Sequence, residues 1–417
     1  MSKDNNYHLI VIGSGAAGII SAIVAARAGK SVLLLEKLPT LGAKLKATGG
    51  GKCNLTNTLP IEYFMSRFGK NGRFMTTALE ALDQQALRDF FTDIGVESHS
   101  PDGFRVFPIT HNANTILSSL KEEMSQLGVT ILCEQAAEHL YHDSGKITGV
   151  GTKDKTFLAP NVIVATGGLG YPKLGAEGDG YTLAQALGHK TTPLFPAMMP
   201  LKTKELWGAN CRADTIANAR IRVNLPKAKK LHAQGDLIFT KSGIRGPVVL
   251  DFAREITPLL EKYGEVPLLI NLTKGKNEEE IRQHLKEQAK DNPHDSIMKH
   301  LSTLLPQSLS HELSLLCQID SQHTYGSLSG AARDKLIKIL TWTPLTVTGH
   351  DGFKMAMITR GGISLKEINP LTMQSKLIKG LYFCGEVMDL DGPCGGYNLQ
   401  WSFASGYLAG HLGQYQR

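Results

Sequence analysis

The chain has 417 residues, which predicts two or three domains with a substantial apolar core. Its composition is that of an ordinary globular protein, apart from 43 glycines, about one residue in ten against a usual ~7%. The formal net charge is +7 and the isoelectric point is near 8.9, a mild excess that favours anionic ligands. Without a concentrated basic stripe, this charge does not indicate a nucleic-acid partner. The six cysteines form no C-x-x-C pair, which argues against a zinc knuckle or a redox dithiol.

The first informative stretch is residues 9–36. An apolar run, 9–12, predicts a buried parallel strand that leads into a G-x-G-x-x-G sequence. A predicted helix over Ala16–Ala28 and a strand over Ser31–Leu35 complete a dinucleotide-binding unit. Its glycines permit a tight turn, a close approach of the backbone to a pyrophosphate and close packing of helix on strand, and the helix start binds phosphate. Glu36 can accept hydrogen bonds from ribose hydroxyls, which favours FAD or NAD over NADP. The cofactor-binding residues predicted here are Gly13, Ser14, Gly15, Ala16, Ala17, Gly18, Glu36 and Lys37.

An alternative for the start of this stretch is a membrane span. Residues 9–26 carry no charge and approach the length that crosses a bilayer. Three glycines and two serines within them, and the continuation into a second strand, favour the globular unit. The polar leader Met1–His8 has no secretory pattern. We therefore expect no membrane span, reduced cysteines and a cytoplasmic location.

A second glycine-rich segment, residues 41–57, contains three successive glycines between Lys44 and Lys52. Consecutive glycines disfavour both regular helix and strand, so we expect an irregular loop. Its N–H groups and lysines suit a diphosphate or the electron-rich edge of a ring. The alternative is a flexible surface loop, but the nearness of Glu36 in the sequence favours ligand binding. The residues predicted to contact the cofactor are Lys44, Thr48, Gly49, Gly50, Gly51 and Asn54.

Two further predicted strands run into glycine-rich turns. The first, starting at Val162, is not followed by the second strand and acid of another dinucleotide unit. The second, Gly380–Cys384, leads to an acid–glycine segment and a helix of small residues. A plain NAD dehydrogenase does not need this closing unit, whereas FAD does, because the helix start can face the anionic edge of the flavin ring. The residues predicted to contact the cofactor in these two segments are Thr166, Gly167, Gly168, Gly385, Glu386, Asp389, Gly395, Gly396, Asn398 and Leu399.

Residues 193–342 are predicted to form an inserted domain, strand-rich over 193–273 and helical over 274–342. The FAD-binding domain then consists of 1–192 and 343–417. The histidines of the insert show no ligand spacing, so no metal site is expected. The strands predicted in the insert are Ala219–Leu225, Gly235–Thr240, Pro247–Leu250 and Val266–Leu272, and a helix is predicted over Ala78–Ile94 in the first domain.

As a set, these motifs resemble the two-dinucleotide-binding flavoprotein superfamily, and more closely the YhiN/BaiN-type flavoproteins, which include aminoacetone-oxidase-like enzymes. The motifs are GSGAAG, LGAKLKATGGGKCNLTN, ATGGLGYPKLGAEGDGY, FTKSGIRGP, ITRGGISLKEI and GLYFCGEVMDLDGPCGGYNLQWSFASG. The resemblance covers nearly the whole chain. It implies an α/β fold with a Rossmann-like FAD-binding domain of the glutathione-reductase type, interrupted by barrel-like strands plus helices. It also implies that 13–18 contacts the pyrophosphate, Glu36 the adenosine ribose and 395–399 the pyrimidine edge of the flavin, and that Glu386 replaces a more usual aspartate.

These features predict an FAD-dependent oxidoreductase that acts on a small molecule by hydride transfer through the flavin. Oxidase, dehydrogenase and reductase activities all stay open. NADH or NADPH could serve as the electron donor, but it would have to bind transiently, because only one nucleotide-binding fingerprint is present. No catalytic residue is predicted. The alternative from another class is a non-catalytic FAD-binding regulatory or partner-binding protein, which would hold the cofactor without turnover.

Overall fold

The computed structural model describes residues 5–320 and 322–416, so the first part of the predicted leader lies outside the described residues. The described chain falls into two compact units. The first comprises the described residues of 1–196 and 357–417, and the second comprises 197–356. Within the described ranges, no helix is long and apolar enough to cross a membrane.

The strands are β1 Leu9–Ile12, β2 Val32–Leu35, β3 Thr56–Asn57, β4 Ser98–His99, β5 Arg105–Pro108, β6 Thr130–Leu132, β7 His139–Asp143, β8 Lys146–Gly151, β9 Thr156–Leu158, β10 Val162–Val164, β11 Phe195–Ala197, β12 Leu201–Thr203, β13 Thr215–Val223, β14 His232–Thr240, β15 Gly243–Arg245, β16 Val266–Asn271, β17 Thr343–Gly349, β18 Ile358–Arg360 and β19 Leu381–Phe383. The helices are α1 Ala16–Arg27, α2 Ala43–Ala47, α3 Ile61–Ser66, α4 Thr76–Ala81, α5 Gln84–Asp93, α6 Ala113–Gln126, α7 Asp179–Ala186, α8 Pro247–Tyr263, α9 Glu278–Asp291, α10 Ile297–Leu301, α11 Gln307–Leu316, α12 Gly330–Thr341 and α13 Tyr397–Gly410.

A five-stranded parallel sheet with the order β19-β10-β1-β2-β6 forms the centre of the first unit. β1 and β2 are wholly apolar and wholly buried, as expected for strands covered on both faces. Helices α1 and α13 pack closely because α13 has glycine where they meet. A Cβ on Gly406 would lie 2.3 Å from the carbonyl oxygen of Ala17. Since the strands are parallel, their carboxyl ends share one edge, where α/β sheets bind ligands.

The second unit contains a closed barrel of β12-β15-β14-β13-β16-β17, together with α8 to α12. Strand β13 alternates, with Ile221 and Val223 buried inside and Arg220 and Arg222 exposed outside. A Rossmann-like sheet with a barrel-containing insert confirms the predicted fold class.

The second unit extends beyond the insert boundary predicted at residue 342. It ends at Ala356 because β17 pairs with β16 and β12 and thereby closes the barrel. The chain leaves and re-enters the first unit through two adjacent segments. The Thr192 N–H donates to the Gly362 carbonyl (2.8 Å), and the Ser364 N–H donates to the Lys190 carbonyl (2.8 Å).

Three local predictions were wrong. The predicted strand Pro247–Leu250 is the first turn of α8, where proline is well tolerated and where a short apolar run does not distinguish strand from helix. The predicted helix Ala78–Ile94 is broken into α4 and α5, because Asp83 caps α5 by accepting from two of its N–H groups. The segment 41–57 is irregular at its glycines, but it also contains α2 and β3.

Candidate cofactor site

The structure brings the predicted cofactor residues to the carboxyl edge of the sheet in the first unit. They follow the ends of four of its strands, β1, β2, β10 and β19. Four segments carry most of them: the opening loop (13–18), the glycine loop (44–54), the middle turn (166–168) and the closing loop (385–399).

The opening loop depends on glycine at two positions and has open space at a third. A Cβ on Gly13 (φ +99°) would lie 2.7 Å from the Ala165 carbonyl oxygen, and a Cβ on Gly18 would lie 1.9 Å from the Gly13 carbonyl oxygen. By contrast, no atom lies within 4 Å of a Cβ on Gly15, and no side chain caps the start of α1. The first-turn N–H groups, including those of Ala16 and Ala17, therefore border a space that an anionic group fits. This cradle suits the diphosphate of a dinucleotide.

Glu36, at the end of β2, is buried and holds the opening loop. Its Oε2 accepts hydrogen bonds from the Ser14 N–H (3.0 Å) and the Ser14 hydroxyl, and its Oε1 accepts from the Leu38 N–H (2.8 Å). The Ser14 hydroxyl in turn accepts from the Gly42 N–H (3.1 Å). Because a carboxylate offers about four lone-pair positions, Oε1 keeps one for a ligand hydroxyl.

Lys37 forms ion pairs with Glu177 (2.6 Å) and Asp179 (2.5 Å). Burial acts to lower the pKa of Lys37, but the hydrogen bonds and charges of Asp179 and Glu177 outweigh it and raise that pKa. Lys37 is therefore a structural cation that ties β2 to the start of α7.

The glycine loop turns sharply. Gly49 and Gly50 adopt left-handed φ values of +58° and +65°, which glycine does without strain. Asn54 packs against Gly49, where a Cβ would lie 3.0 Å from the Asn54 backbone nitrogen. With its amide oriented to satisfy both ends, it donates to the Val106 (3.2 Å) and Thr56 (3.0 Å) carbonyls and accepts from the Gly396 N–H (3.1 Å). The glycine loop thus supports the closing loop, although the two are far apart in sequence.

An ion pair crosses the site between Lys44 and Glu386, with Nζ and Oε2 2.7 Å apart. Both side chains are largely buried, with 25% and 16% of their surface exposed. The other oxygen of Glu386, Oε1, accepts from the Thr359 N–H (2.9 Å). Glu386 therefore joins the closing loop to the glycine loop and to β18.

The middle turn lies against these same groups. A Cβ on Gly168 would approach the Thr359 hydroxyl (2.4 Å) and Glu386 Oε1 (2.8 Å), so no larger residue fits there. The Leu169 N–H donates to the Thr359 hydroxyl (2.7 Å). Thr166 is packed against the helix start at Gly180, and its buried hydroxyl has no partner among the described residues.

The closing loop is fixed by amide side chains. Asn57 donates to the Gly395 carbonyl (2.9 Å). Asn398 accepts from the Gly392 N–H (2.8 Å) and donates to the carbonyls of Gly392 (2.9 Å) and Pro393 (3.3 Å). Gly396 fits directly against β3, since its Cβ would lie 2.4 Å from the Thr56 carbonyl. These contacts set the position of the start of α13, which includes Leu399.

Asp389 is a partly buried carboxyl group of the closing loop. Burial raises its pKa, against the opposing effects of a hydrogen bond from Thr192 and the positive charges of Lys70 and Arg360. Gly385, at the start of this loop, lies against α1, with its Cβ position 2.9 Å from the Ala17 Cβ. Its N–H donates to the Ser405 hydroxyl (2.9 Å).

Sequence reasoning missed three hydroxyl side chains that organise this edge, namely Thr359, Ser405 and Thr192. Each forms hydrogen bonds with residues distant in sequence, so no local sequence pattern predicts its role. The only signal was the position of Thr359 directly before an Arg-Gly-Gly sequence. In the ranges 5–320 and 322–416, no group of three or more His, Cys, Asp or Glu side chains could hold a metal ion.

The sequence is similar to known proteins over nearly the whole chain. The sequence profile of the HI0933-like protein Rossmann domain family matches residues 7–412. A 3-dehydro-bile acid delta(4,6)-reductase of Clostridium scindens is 31% identical over 403 residues, which cover 96% of this chain and 97% of the relative. A ribosomal RNA dihydrouridine synthase of Haemophilus influenzae is 31% identical over 409 residues, covering 95% and 96%. The solved 3-ketosteroid delta1-dehydrogenase of Sterolibacterium denitrificans has a TM-score of 0.54 at 12% identity, covering 98% of this chain and 100% of the other, which shows a shared fold.

The sheet, the glycine loops at its edge and these relatives define an FAD-dependent oxidoreductase. The chain belongs to the HI0933-like protein Rossmann domain family, which confirms its resemblance to the YhiN/BaiN-type flavoproteins. Because this class consists of enzymes, the alternative of a non-catalytic FAD-binding protein has no support.

Proposed function

We propose that this chain is an NAD(P)H-linked FAD-dependent reductase that adds hydrogen to a carbon–carbon double bond conjugated with a carbonyl group. The observation that carries the proposal is the pair of full-length relatives. One is named as a delta(4,6)-reductase of an oxidised bile acid, and the other as a synthase of dihydrouridine, which is uridine with two added hydrogens. The two substrates share little except this bond type, so the common reaction is the part that transfers best.

The predicted cofactor residues support a consistent placement of FAD. The first-turn N–H groups of α1 and the open side of Gly15 would hold the diphosphate, as in other dinucleotide-binding turns. The remaining lone pair of Glu36 Oε1 would accept from a ribose hydroxyl. The closing loop, with the positive end of α13 behind it, would face the electron-rich edge of the flavin. When bound, FAD supplies the two-electron carrier between donor and substrate.

The side chains around this edge would act as a fixed frame. Lys44 and Glu386 neutralise each other, so the frame adds little net charge to the space where a hydride must pass. The amide contacts of Asn57 and Asn398 hold the closing loop before any ligand arrives. Such preorganisation lowers the cost of positioning the reacting groups.

The proposal also covers the cellular compartment and the kind of substrate. Buried thiols such as Cys53 and Cys384 suit a reducing compartment, so we place the reaction in the cytoplasm. A small-molecule enone is the simplest substrate, and a uridine base is the second, because of the dihydrouridine synthase relative.

The test is anaerobic visible spectroscopy of the purified protein, with NADH and NADPH added in turn. We expect flavin absorption near ~450 nm that bleaches with at least one donor and returns on adding a substrate with a conjugated double bond. A dienone bile acid and a uridine-containing ribosomal RNA are the two substrates to compare. Absorption that neither donor bleaches would contradict the NAD(P)H link. A protein that stays colourless after reconstitution with FAD would contradict the cofactor placement.

A further inference from the structure

The net charge of the chain is concentrated in one stretch of the barrel. The chain has 45 Lys and Arg against 38 Asp and Glu. Residues 197–246, which form the first four barrel strands, include ten of these basic residues and three of the acidic ones. This stretch therefore carries the whole net charge of +7, and the rest of the chain is balanced.

The fold gathers part of this charge on the outside of the barrel. Arg220 and Arg222 are two residues apart on β13, so both point outward, and both are exposed. Across the sheet, Arg220 lies opposite Gln234, and Arg222 lies opposite His232, both exposed on β14. This outer face is therefore polar and basic along two adjacent strands.

Two connections extend the face at either end. The hairpin between β13 and β14 carries three exposed lysines, Lys227, Lys229 and Lys230. The loop after β16 carries the exposed Lys274, and it lies on Arg220, since a Cβ on Gly275 would be 2.4 Å from the guanidinium carbon. We call this surface the barrel basic face, and it consists of Arg220, Arg222, Lys227, Lys229, Lys230 and Lys274.

The charges of this face are not neutralised within the described residues, where none of its six members forms an ion pair. Other lysines of the same barrel are paired, Lys202 with Asp351 and Lys204 with Glu265. Uncompensated cations on one face attract a polyanion.

An aromatic side chain completes the surface. The guanidinium carbon of Arg222 lies 3.8 Å from the ring centroid of Trp342, which is partly exposed. An arginine held over an indole ring offers a guanidinium plane on which a nucleobase can stack. Cations at the rim with a stacking platform among them are typical of RNA-binding surfaces.

We propose that the barrel basic face binds RNA. The face favours RNA over an anionic membrane, because its strand residues between the cations, His232 and Gln234, are polar. An interfacial membrane surface would instead present apolar anchors. This proposal reverses the expectation of no nucleic-acid partner that the undivided charge of +7 suggested. It rests on the proposed function in one respect only, that a uridine of the bound RNA would be a substrate of the reaction.

The experiment measures binding of the full-length protein to deproteinised bacterial ribosomal RNA between ~50 and ~200 mM salt. The test variant is the triple Lys227→Gln, Lys229→Gln, Lys230→Gln, in an exposed hairpin outside the cofactor frame. The control is the triple Lys146→Gln, Lys153→Gln, Lys155→Gln, which removes the same charge from exposed positions of the first unit. Vesicles containing phosphatidylserine are the competing polyanion. Thermal unfolding and flavin content are recorded for each variant.

We expect the hairpin variant to bind RNA roughly tenfold or more weakly, with a salt slope smaller by about two, since each lost phosphate contact reduces the slope by ~0.7. The control should bind like the parent protein. Equal weakening in both variants would contradict the assignment of this face, as would weak binding of the parent to RNA or a loss confined to vesicles. Because binding needs no reductant, these outcomes are independent of whether NAD(P)H bleaches the flavin. Intact RNA binding with no turnover of either the RNA or the dienone bile acid would leave this proposal standing and overturn the proposed reaction.

Discussion

The opening loop and the closing loop serve the same edge of the sheet but are stabilised in different ways. In the opening loop, Glu36 holds Ser14 from only 22 residues away, and the remaining constraints come from glycine backbone. In the closing loop, Asn57 bonds Gly395 across 338 residues, and Lys44 pairs with Glu386 across 342. The side-chain hydrogen bonds of the opening loop are therefore local, although Gly13 also packs against Ala165, whereas those of the closing loop join distant parts of the chain. This difference predicts different responses to substitution.

The largest effect is expected in the opening loop from Gly18→Ala. The new Cβ would lie 1.9 Å from the Gly13 carbonyl oxygen, so strand and helix must separate. We expect a loss of about 3 kcal/mol or more in the free energy of unfolding, with loss of bound FAD. Chemical denaturation and the absorption spectrum measure the two effects.

Gly15→Ala is the matched control for this prediction. Its Cβ meets no atom within 4 Å, so stability without cofactor should stay within about 0.5 kcal/mol. FAD affinity should nevertheless fall, because the methyl group enters the proposed diphosphate space. An equal loss of stability in both variants would contradict the expected difference between the steric clash at Gly18 and the open space at Gly15.

The next effect is expected in the closing loop from Asn398→Asp. The substitution removes the hydrogen bonds donated to the Gly392 and Pro393 carbonyls and puts a carboxylate against them. We expect a loss of about 2 kcal/mol and weaker FAD binding. Comparison with Asn398→Ala separates the two causes. If both variants bind FAD equally weakly, loop position matters and the added negative charge does not.

A smaller effect, about 1–2 kcal/mol, is expected from Lys44→Met, which leaves Glu386 partly buried without its cation. The double variant Lys44→Met, Glu386→Gln should regain part of this loss, because glutamine still accepts from the Thr359 N–H. Thermal unfolding of Lys44→Met, Glu386→Gln and the double variant gives the stabilities needed for a double-mutant cycle. Strict additivity would mean that this contact does not couple the two loops.

The smallest effect concerns pH and lies outside both loops. His189 is buried, with its Nε2 2.9 Å from the Ser375 hydroxyl. Burial lowers its pKa below the usual 6.5, although Glu367 acts in the opposite direction. The unfolded chain therefore binds a proton that the folded chain resists, and stability should be full above pH 6.5 and fall below it. His189→Gln should make this acid-side decline of the melting temperature shallower, and an unchanged slope would exclude His189 as a contributor.

The contrast between local and long-range contacts also explains which features could be predicted from the sequence and which could not. Strand, glycines, helix and acid of residues 9–36 occur in order, so the strand–turn–helix–strand unit was predictable without knowledge of the rest. Glu36 was predicted to face ribose, but its three bonds to the loop backbone and Ser14 were not, since nothing local requires them. The roles of Thr359 and Ser405 depend on tertiary contacts. Likewise, the sequence shows no concentrated basic stripe, and only strand register and the hairpin bring the basic residues of the barrel onto one face.

The paired exit and return segments at 190–192 and 362–364 have an evolutionary consequence. Since the two segments that flank the insert are hydrogen-bonded neighbours within the first unit, that unit tolerates changes in insert length at little cost in loop-closure entropy. A gene can thus exchange or remodel residues 197–356 as a cassette while the sheet edge keeps its geometry.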